Sequence, residues 1–224
     1  MNLLLLLAAV SGALAIAAEE RAGGRHRAFF VLKPLTTLLI LAAALLAADA
    51  DPTYRMLVAG ALALSTAGDI ALMFEGNGAF LAGLGSFLAA HLLFVVAFLA
   101  GTGWVTPSAW ALVPGIAGAA FFVWLLPRTG PLLPAVLVYG LALMGMMLTA
   151  SGREVARGDA SGWLAFLGAS IFILSDSALA IRKFVGPYRK AQFVILFTYW
   201  LAVGLISASV AQSSIALRVV AHAP

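Results

Sequence analysis

Residues 79–100 read AFLAGLGSFLAAHLLFVVAFLA, with Ser86 and His91 as the only polar side chains. A helix of this length rises about 30 Å, the thickness of a bilayer's hydrocarbon core. Nothing in the stretch supplies a wet face, so it must be buried in protein or lie in lipid. The rest of the chain decides between the two. Of 224 residues, 63% are hydrophobic and 10% charged, and mean hydropathy is +1.07. Soluble domains carry about 25% charged residues. Too little polar surface remains to cover a water-soluble globule, so lipid is the main solvent. Lipid forces the backbone to satisfy its own hydrogen bonds. The apolar runs are continuous rather than alternating, which favours helices over a β-barrel.

Working outward, the sequence predicts an all-α polytopic transmembrane bundle, a single domain over residues 1–224. Eight spans are expected at roughly 2–18, 31–48, 54–74, 79–100, 109–126, 131–150, 160–182 and 190–213. The turns between them are expected at Asp49 to Pro52, Glu75 to Gly78, Gly101 to Pro107, Pro127 to Pro131, Ser151 to Asp159 and Gly186 to Arg189. Ala15-Ile16-Ala17 has the look of a signal-peptidase site. However, the leading stretch has no Lys or Arg, and Arg21, Arg25 and Arg27 follow it. A basic flank resists translocation, so the first helix is read as retained.

With the N-terminus outside, the inner side holds Arg21, Arg25, Arg27, Lys33, Arg128, Arg182, Lys183, Arg189 and Lys190. The outer side holds Arg55, Arg153, Arg157 and Arg218. The bias favours both termini extracytoplasmic, in what is read as a bacterial inner membrane. The net charge of +4 is accounted for by these flanking residues, so no nucleic-acid partner is inferred. With no cysteine, disulfides, thiolate catalysis and Cys-ligated metals are excluded. The sequence carries no sign of the oligomeric state.

Ionisable groups inside hydrocarbon are functional hypotheses by default. Asp69, His91 and Asp176 lie well inside spans, Tyr199 is a fourth polar group at mid-span, and Lys33 stands at the inner mouth of the second span. Counted along their helices, all lie between the inner surface and mid-membrane, which predicts one shared cavity open to the cytoplasmic leaflet. Each also has a purely structural reading as interhelical glue: Asp69 could bond Ser65 one turn back, and Asp176 sits in Ser175-Asp176-Ser177. Asp69-Ile70-Ala71-Leu72 and Asp176-Ser177-Ala178-Leu179 form a faint internal echo four spans apart.

The chemistry open to this set is narrow. His26, His91 and His222 are the only histidines, too scattered for a His-rich metal site. A G-x-S-x-G elbow is missing, and Thr66-Ala67-Gly68-Asp69 lacks the G-x-G-D form of intramembrane aspartyl proteases. What remains is carboxylate acid–base chemistry on a lipid, or a transport path for lipid, small solutes or protons.

Lys33-Pro34-Leu35-Thr36-Thr37, Gly68-Asp69, Gly83-Leu84, Phe87 and Ala90-His91 occur in an order that resembles the YhhN-like lysoplasmalogenases. So do Gly168-Ala169, Phe172, Ser175-Asp176 and Thr198-Tyr199-Trp200. The similarity covers nearly the whole chain. One departure is that Tyr199 is followed by Trp200-Leu201-Ala202-Val203 where the family often reads Tyr-x-Ala-Gln. The resemblance implies an eight-span membrane hydrolase acting on a lysophospholipid among membrane lipids, with no metal or other cofactor. It would cleave the vinyl ether of a lysoplasmalogen to a fatty aldehyde and a glycerophospho-alcohol. That hydrolysis needs a carboxylic acid that keeps its proton near neutral pH, a state favoured by apolar surroundings or a neighbouring like charge. On this reading Asp69 and Asp176 divide the acid and cation-stabilising roles, and His91 positions water or relays a proton. Lys33 and Lys183 hold the phosphate, with Tyr199 and Ser175 lining the substrate site. The competing class is a non-catalytic transporter using the aspartates as proton carriers.

Overall fold

The computed structural model describes residues 3–22 and 27–213. Eight long helices follow one another: α1 (Leu3–Ala22), α2 (Arg27–Leu45), α3 (Pro52–Ala71), α4 (Asn77–Leu99), α5 (Leu112–Leu125), α6 (Leu133–Arg157), α7 (Ala160–Ala180) and α8 (Ala191–Ala211). Short 3-10 turns flank α5 and precede α6, and α7 runs on into a π turn over Ile181–Val185. There is no strand among the described residues. Arg25, His26, Arg218 and His222 lie outside the described residues, as does the side chain of Arg21.

The helix ends follow local chemistry. Asp51 caps α3 by accepting from the Tyr54 N–H at 3.0 Å, with Pro52 in the first turn where its missing N–H costs nothing. Gly158, at φ 61°, ends α6 in the left-handed conformation, and Asp159 then caps α7 through the Gly162 N–H.

Seven of the eight helices are long and apolar enough to cross a membrane by length and composition. The exception is α3, whose Arg55 and Asp69 lower its hydropathy; it is nonetheless 20 residues long and packs along α4. The observed architecture is therefore the expected polytopic helical bundle, with one span less hydrophobic than expected. A second difference lies at α6. The sequence reading ends its span at 150 and makes Ser151 to Asp159 a loop, yet the helix continues to Arg157. Its last turns bury Ser151, Gly152, Arg153 and Glu154. The connection between α4 and α5 folds over them: Ser151 Oγ accepts from the Ser108 N–H at 3.0 Å, and Gly152 packs on the Val105 carbonyl. Arg153, expected in an outer loop, is 1% exposed and lies 3.7 Å over the Tyr54 ring. Hydrocarbon is too costly for this guanidinium, and the ring face is a partner it can use without water.

Interhelical hydrogen bonds fix the directions of the helices. On α2 and α8, Thr37 meets Trp200 and Ile40 meets Ser207, so these helices run parallel. On α3 and α8, Tyr54 meets Ser209 while Asp69 meets Tyr199, so that pair is antiparallel. Arg27, Lys33, the end of α3, Lys183 and Lys190 thus share one end of the bundle. The tightest pairing is α7 with α8, followed by α3 with α4 and α1 with α2, whereas α5 rests only loosely on α6 and α7. Gly168 permits the α7–α8 approach: a Cβ there would lie 2.7 Å from the Ala202 carbonyl oxygen. Small residues at such crossings substitute for the hydrophobic drive that lipid does not provide. Gly168→Ala should therefore cost about 1–3 kcal/mol, the scale of overpacking, read as a lower melting temperature in detergent. Gly145→Ala, where a Cβ would meet nothing within 4 Å, should be neutral.

Candidate active site

Two polar clusters form in the bundle, one around each deep aspartate. Lys33 and Thr37 stand one turn apart on α2 and project the same way. Asp69 comes from the last turn of α3, and Tyr199 and Trp200 from the middle of α8. Lys33 Nζ donates to the Asp69 carbonyl at 3.0 Å and lies 3.3 Å from its Oδ1. Oδ2 accepts from Thr37 at 2.7 Å and from Tyr199 at 2.8 Å, and Trp200 Nε1 donates to Thr37 Oγ1 at 3.3 Å. Lys33 is 5% exposed and Asp69 2%. Asp69, on α3, is thus a charge-paired group whose oxygens are occupied by partners from two other helices, α2 and α8. Ser65, the partner expected from sequence, instead bonds the Ala61 carbonyl on its own helix.

The second cluster is less complete. Tyr139 on α6 donates to Asp176 Oδ2 at 2.5 Å. His91 on α4 places Nε2 4.0 Å from the same oxygen, beyond hydrogen-bond reach. His91 is fully buried, edge-on to Tyr139 (5.0 Å between centroids) and to Phe172 (4.8 Å), and neither ring nitrogen has a hydrogen-bond partner. Asp176 keeps 14% of its side chain exposed.

That exposure faces a cavity. Between α4, α5, α6 and α7 lies about 640 Å³ of unfilled space, part of it open to the surroundings. Phe80, Leu84, Phe122, Leu143, Met144 and Ile173 are among its apolar walls, and Asp176, Tyr139 and Ser177 bring the polar groups. Lys33, Asp69, His91 and Tyr199 are not among its lining residues. The expected cavity shared by both aspartates is therefore corrected: one aspartate lines it and the other does not. The two clusters join through an aromatic block, in which Phe172 meets Tyr199 at 5.6 Å and Phe87 meets Tyr199 at 5.7 Å. Gly68 makes room for this block, since a Cβ there would come 2.6 Å from the Phe87 ring.

The remaining expected residues fall as follows. Lys33 is an internal partner of Asp69 rather than a group at the cavity mouth. Ser175 points away from the cavity and bonds the Ile195 carbonyl at 3.2 Å, joining α7 to α8. Lys183 is not among the lining residues either, but its ammonium lies 4.5 Å over the ring of Phe80, which is one of them. Tyr139 escaped the sequence reading, although an intramembrane phenol four residues before Leu143 carries the same signal that singled out Tyr199. Among the described residues, no three His, Asp or Glu side chains gather into a metal-binding set.

Known proteins resemble this chain in sequence. The YhhN family model matches residues 28–210. Lysoplasmalogenase TMEM86B of Sus scrofa is 39% identical over 171 residues, covering 75% of this chain and 70% of that protein. Lysoplasmalogenase TMEM86B of Homo sapiens is 35% identical, covering 72% of this chain and 66% of that protein. A lysoplasmalogenase of Mycobacterium tuberculosis is 36% identical, covering 66% and 58%. The matched stretch thus spans roughly two thirds of these relatives' lengths. No solved structure matches. The family match spans every residue of both clusters, from Lys33 to Trp200, and the chain belongs to the YhhN family.

Proposed function

We propose that this protein is an integral membrane lysoplasmalogenase, hydrolysing the vinyl ether of a lysoplasmalogen to a fatty aldehyde and a glycerophospho-alcohol. Its family and the names of its relatives support the reading. The observation that carries it is the lone carboxylate in the wall of an apolar cavity, Asp176, backed by Tyr139 and a buried His91 without partners.

The site suits an acid-catalysed addition of water. The Asp176 carboxyl transfers its proton to the alkenyl carbon distal to the ether oxygen, and the electron pair of the double bond forms the new C–H bond. The cation left behind is an oxocarbenium, and the Asp176 carboxylate now beside it stabilises it. Water adds to the oxocarbenium carbon and returns a proton to the Asp176 carboxylate; the hemiacetal then breaks its bond to the glycerol oxygen, which ends with the hemiacetal's hydroxyl proton. Aldehyde and alcohol leave with no redox change. Tyr139 occupies Oδ2, which leaves Oδ1 to carry the proton. His91 supplies a nitrogen close enough to Asp176 for one water to bridge them, and a water needs such polar partners. A positioned acid or base of this kind contributes about 10²–10⁴-fold.

Asp69 takes a different part from the one its sequence motif suggests. Paired with Lys33 and saturated by Thr37 and Tyr199, it ties α2, α3 and α8 together and backs the aromatic block behind His91. The cavity's lining includes Phe80 and Phe184, at the end of the bundle that carries Arg27, Lys183 and Lys190; by the positive-inside rule that end is read as facing the cytoplasmic leaflet of a bacterial inner membrane, with both termini outside. The burial of Arg153 and of Lys33 removes one charge from each side of the count.

Three outcomes are expected. Asp176→Asn, which can still accept from Tyr139, should lower aldehyde release from lysoplasmenylethanolamine by at least about 10²-fold while the protein stays monodisperse. Asp69→Asn leaves Lys33 buried without its counter-charge, a loss on the order of 3–5 kcal/mol. It should cut yield and thermal stability and spare turnover per folded molecule within a few fold. A stable, monodisperse but inactive Asp69→Asn would move that residue into the chemistry and contradict the division of roles. For orientation, a reporter fused after Pro224 should read as extracytoplasmic; a cytoplasmic reading would reverse the placement of the cavity.

A further inference from the structure

The cavity has a charged rim at a fixed distance from its carboxylate. Lys183 lies in the π turn that continues α7, seven residues beyond Asp176. The intervening α-helix and π turn carry Lys183 about 10 Å further along the element than Asp176, toward the end of the bundle that holds Arg27 and Lys190. The Lys183 ammonium is held by the Asn77 side-chain carbonyl at 3.0 Å and lies over the Phe80 ring, which packs edge-on against Phe184 at 5.9 Å. Phe80 and Phe184 both line the cavity, so the cation sits at its rim. Neither of these contacts is a carboxylate, and among the described residues no carboxylate pairs with it.

Resting on the lysoplasmalogenase reading, we infer that Lys183 binds the substrate's glycerol-linked phosphate. The Lys183–Asp176 separation then selects lipids with a single three-carbon spacer between phosphate and vinyl ether. From phosphorus to the carbon that receives the proton is seven bonds, about 9 Å in an extended chain with bonds near 1.5 Å. That length is of the same order as the rise between the two residues along their helix. Lys33, which the sequence offers first for this role, is paired with Asp69 inside the bundle and is not among the cavity's lining residues. A flexible ammonium is suited to a phosphate that arrives from the bilayer surface, since it acts as a point charge with rotatable donors.

The test pairs a substrate truncation with a residue truncation. Purified protein is assayed with lysoplasmenylethanolamine and with 1-alkenylglycerol, which keeps the vinyl ether and lacks the phosphate. Wild type should favour the phospholipid in kcat/KM by about tenfold or more, the scale of one hydrogen bond between charged groups. Lys183→Gln should erase that preference through a higher KM for the phospholipid, and Lys183→Arg should keep most of it. A Lys183→Gln protein that retains the preference, or loses activity equally on both lipids, overturns the inference. The saturated alkyl-ether analogue of lysophosphatidylethanolamine, which cannot be hydrolysed this way, separates binding from chemistry. Its Kd should rise about tenfold in Lys183→Gln, and an unchanged Kd overturns the headgroup site. Wild type that binds this analogue in a Lys183-dependent way yet releases no aldehyde from lysoplasmenylethanolamine would instead defeat the hydrolase reading.

Discussion

A carboxylate in hydrocarbon has two affordable states: it is paired within the protein, or it borders a space that substrate or water can enter. The bundle uses one state for each of its deep aspartates. Asp69 is closed off by an ammonium, two hydroxyls and three helices. Asp176 has one phenol, a histidine just out of reach, and a cavity. The difference between a finished network and an unfinished one separates the scaffold from the site. Asp69 fixes α2, α3 and α8 relative to one another, and through Tyr199 and Phe172 it seats the wall against which His91 is buried.

The helix packing serves the same division. Glycine lets α7 lie against α8 at backbone distance, which holds Asp176 on a rigid element. The opposite wall of the cavity comes partly from α5, a short helix with much of its surface exposed and few neighbours. A cavity with one firm wall and one loosely held wall suits a substrate that arrives sideways from the bilayer with a long chain attached.

Much of this was legible in the sequence. Uninterrupted apolar runs such as 79–100 and 190–213 marked the helices, and Gly, Pro and Asp marked their ends. Polar residues in those runs, Asp69, His91, Asp176 and Tyr199, were the ones that build the two clusters. Their relative placement was not legible. Periodicity puts Asp69 and Asp176 at similar depth, but nothing in a linear pattern tells that aromatic rings stand between them. Lys33 looked like a rim residue because it begins a span; only the α2–α3 contact shows it turned inward. The extension of α6 past residue 150 was hidden by the charges of Arg153 and Glu154, which read as loop until the Tyr54 ring and the overlying α4–α5 connection are seen to cover them. Tyr139 was missed although, like Tyr199, it is a phenol well inside an expected span.

The account turns on one fixed acid delivering its proton to carbon. Hydrolysis of lysoplasmenylethanolamine in deuterated water, with the aldehyde reduced in place to its alcohol, reports that step directly. The account predicts one deuterium at the carbon next to the former aldehyde, in a single configuration, because the Asp176 carboxyl addresses one face of a double bond held in the cavity. Product without deuterium at that carbon, or with deuterium in both configurations equally, would contradict it.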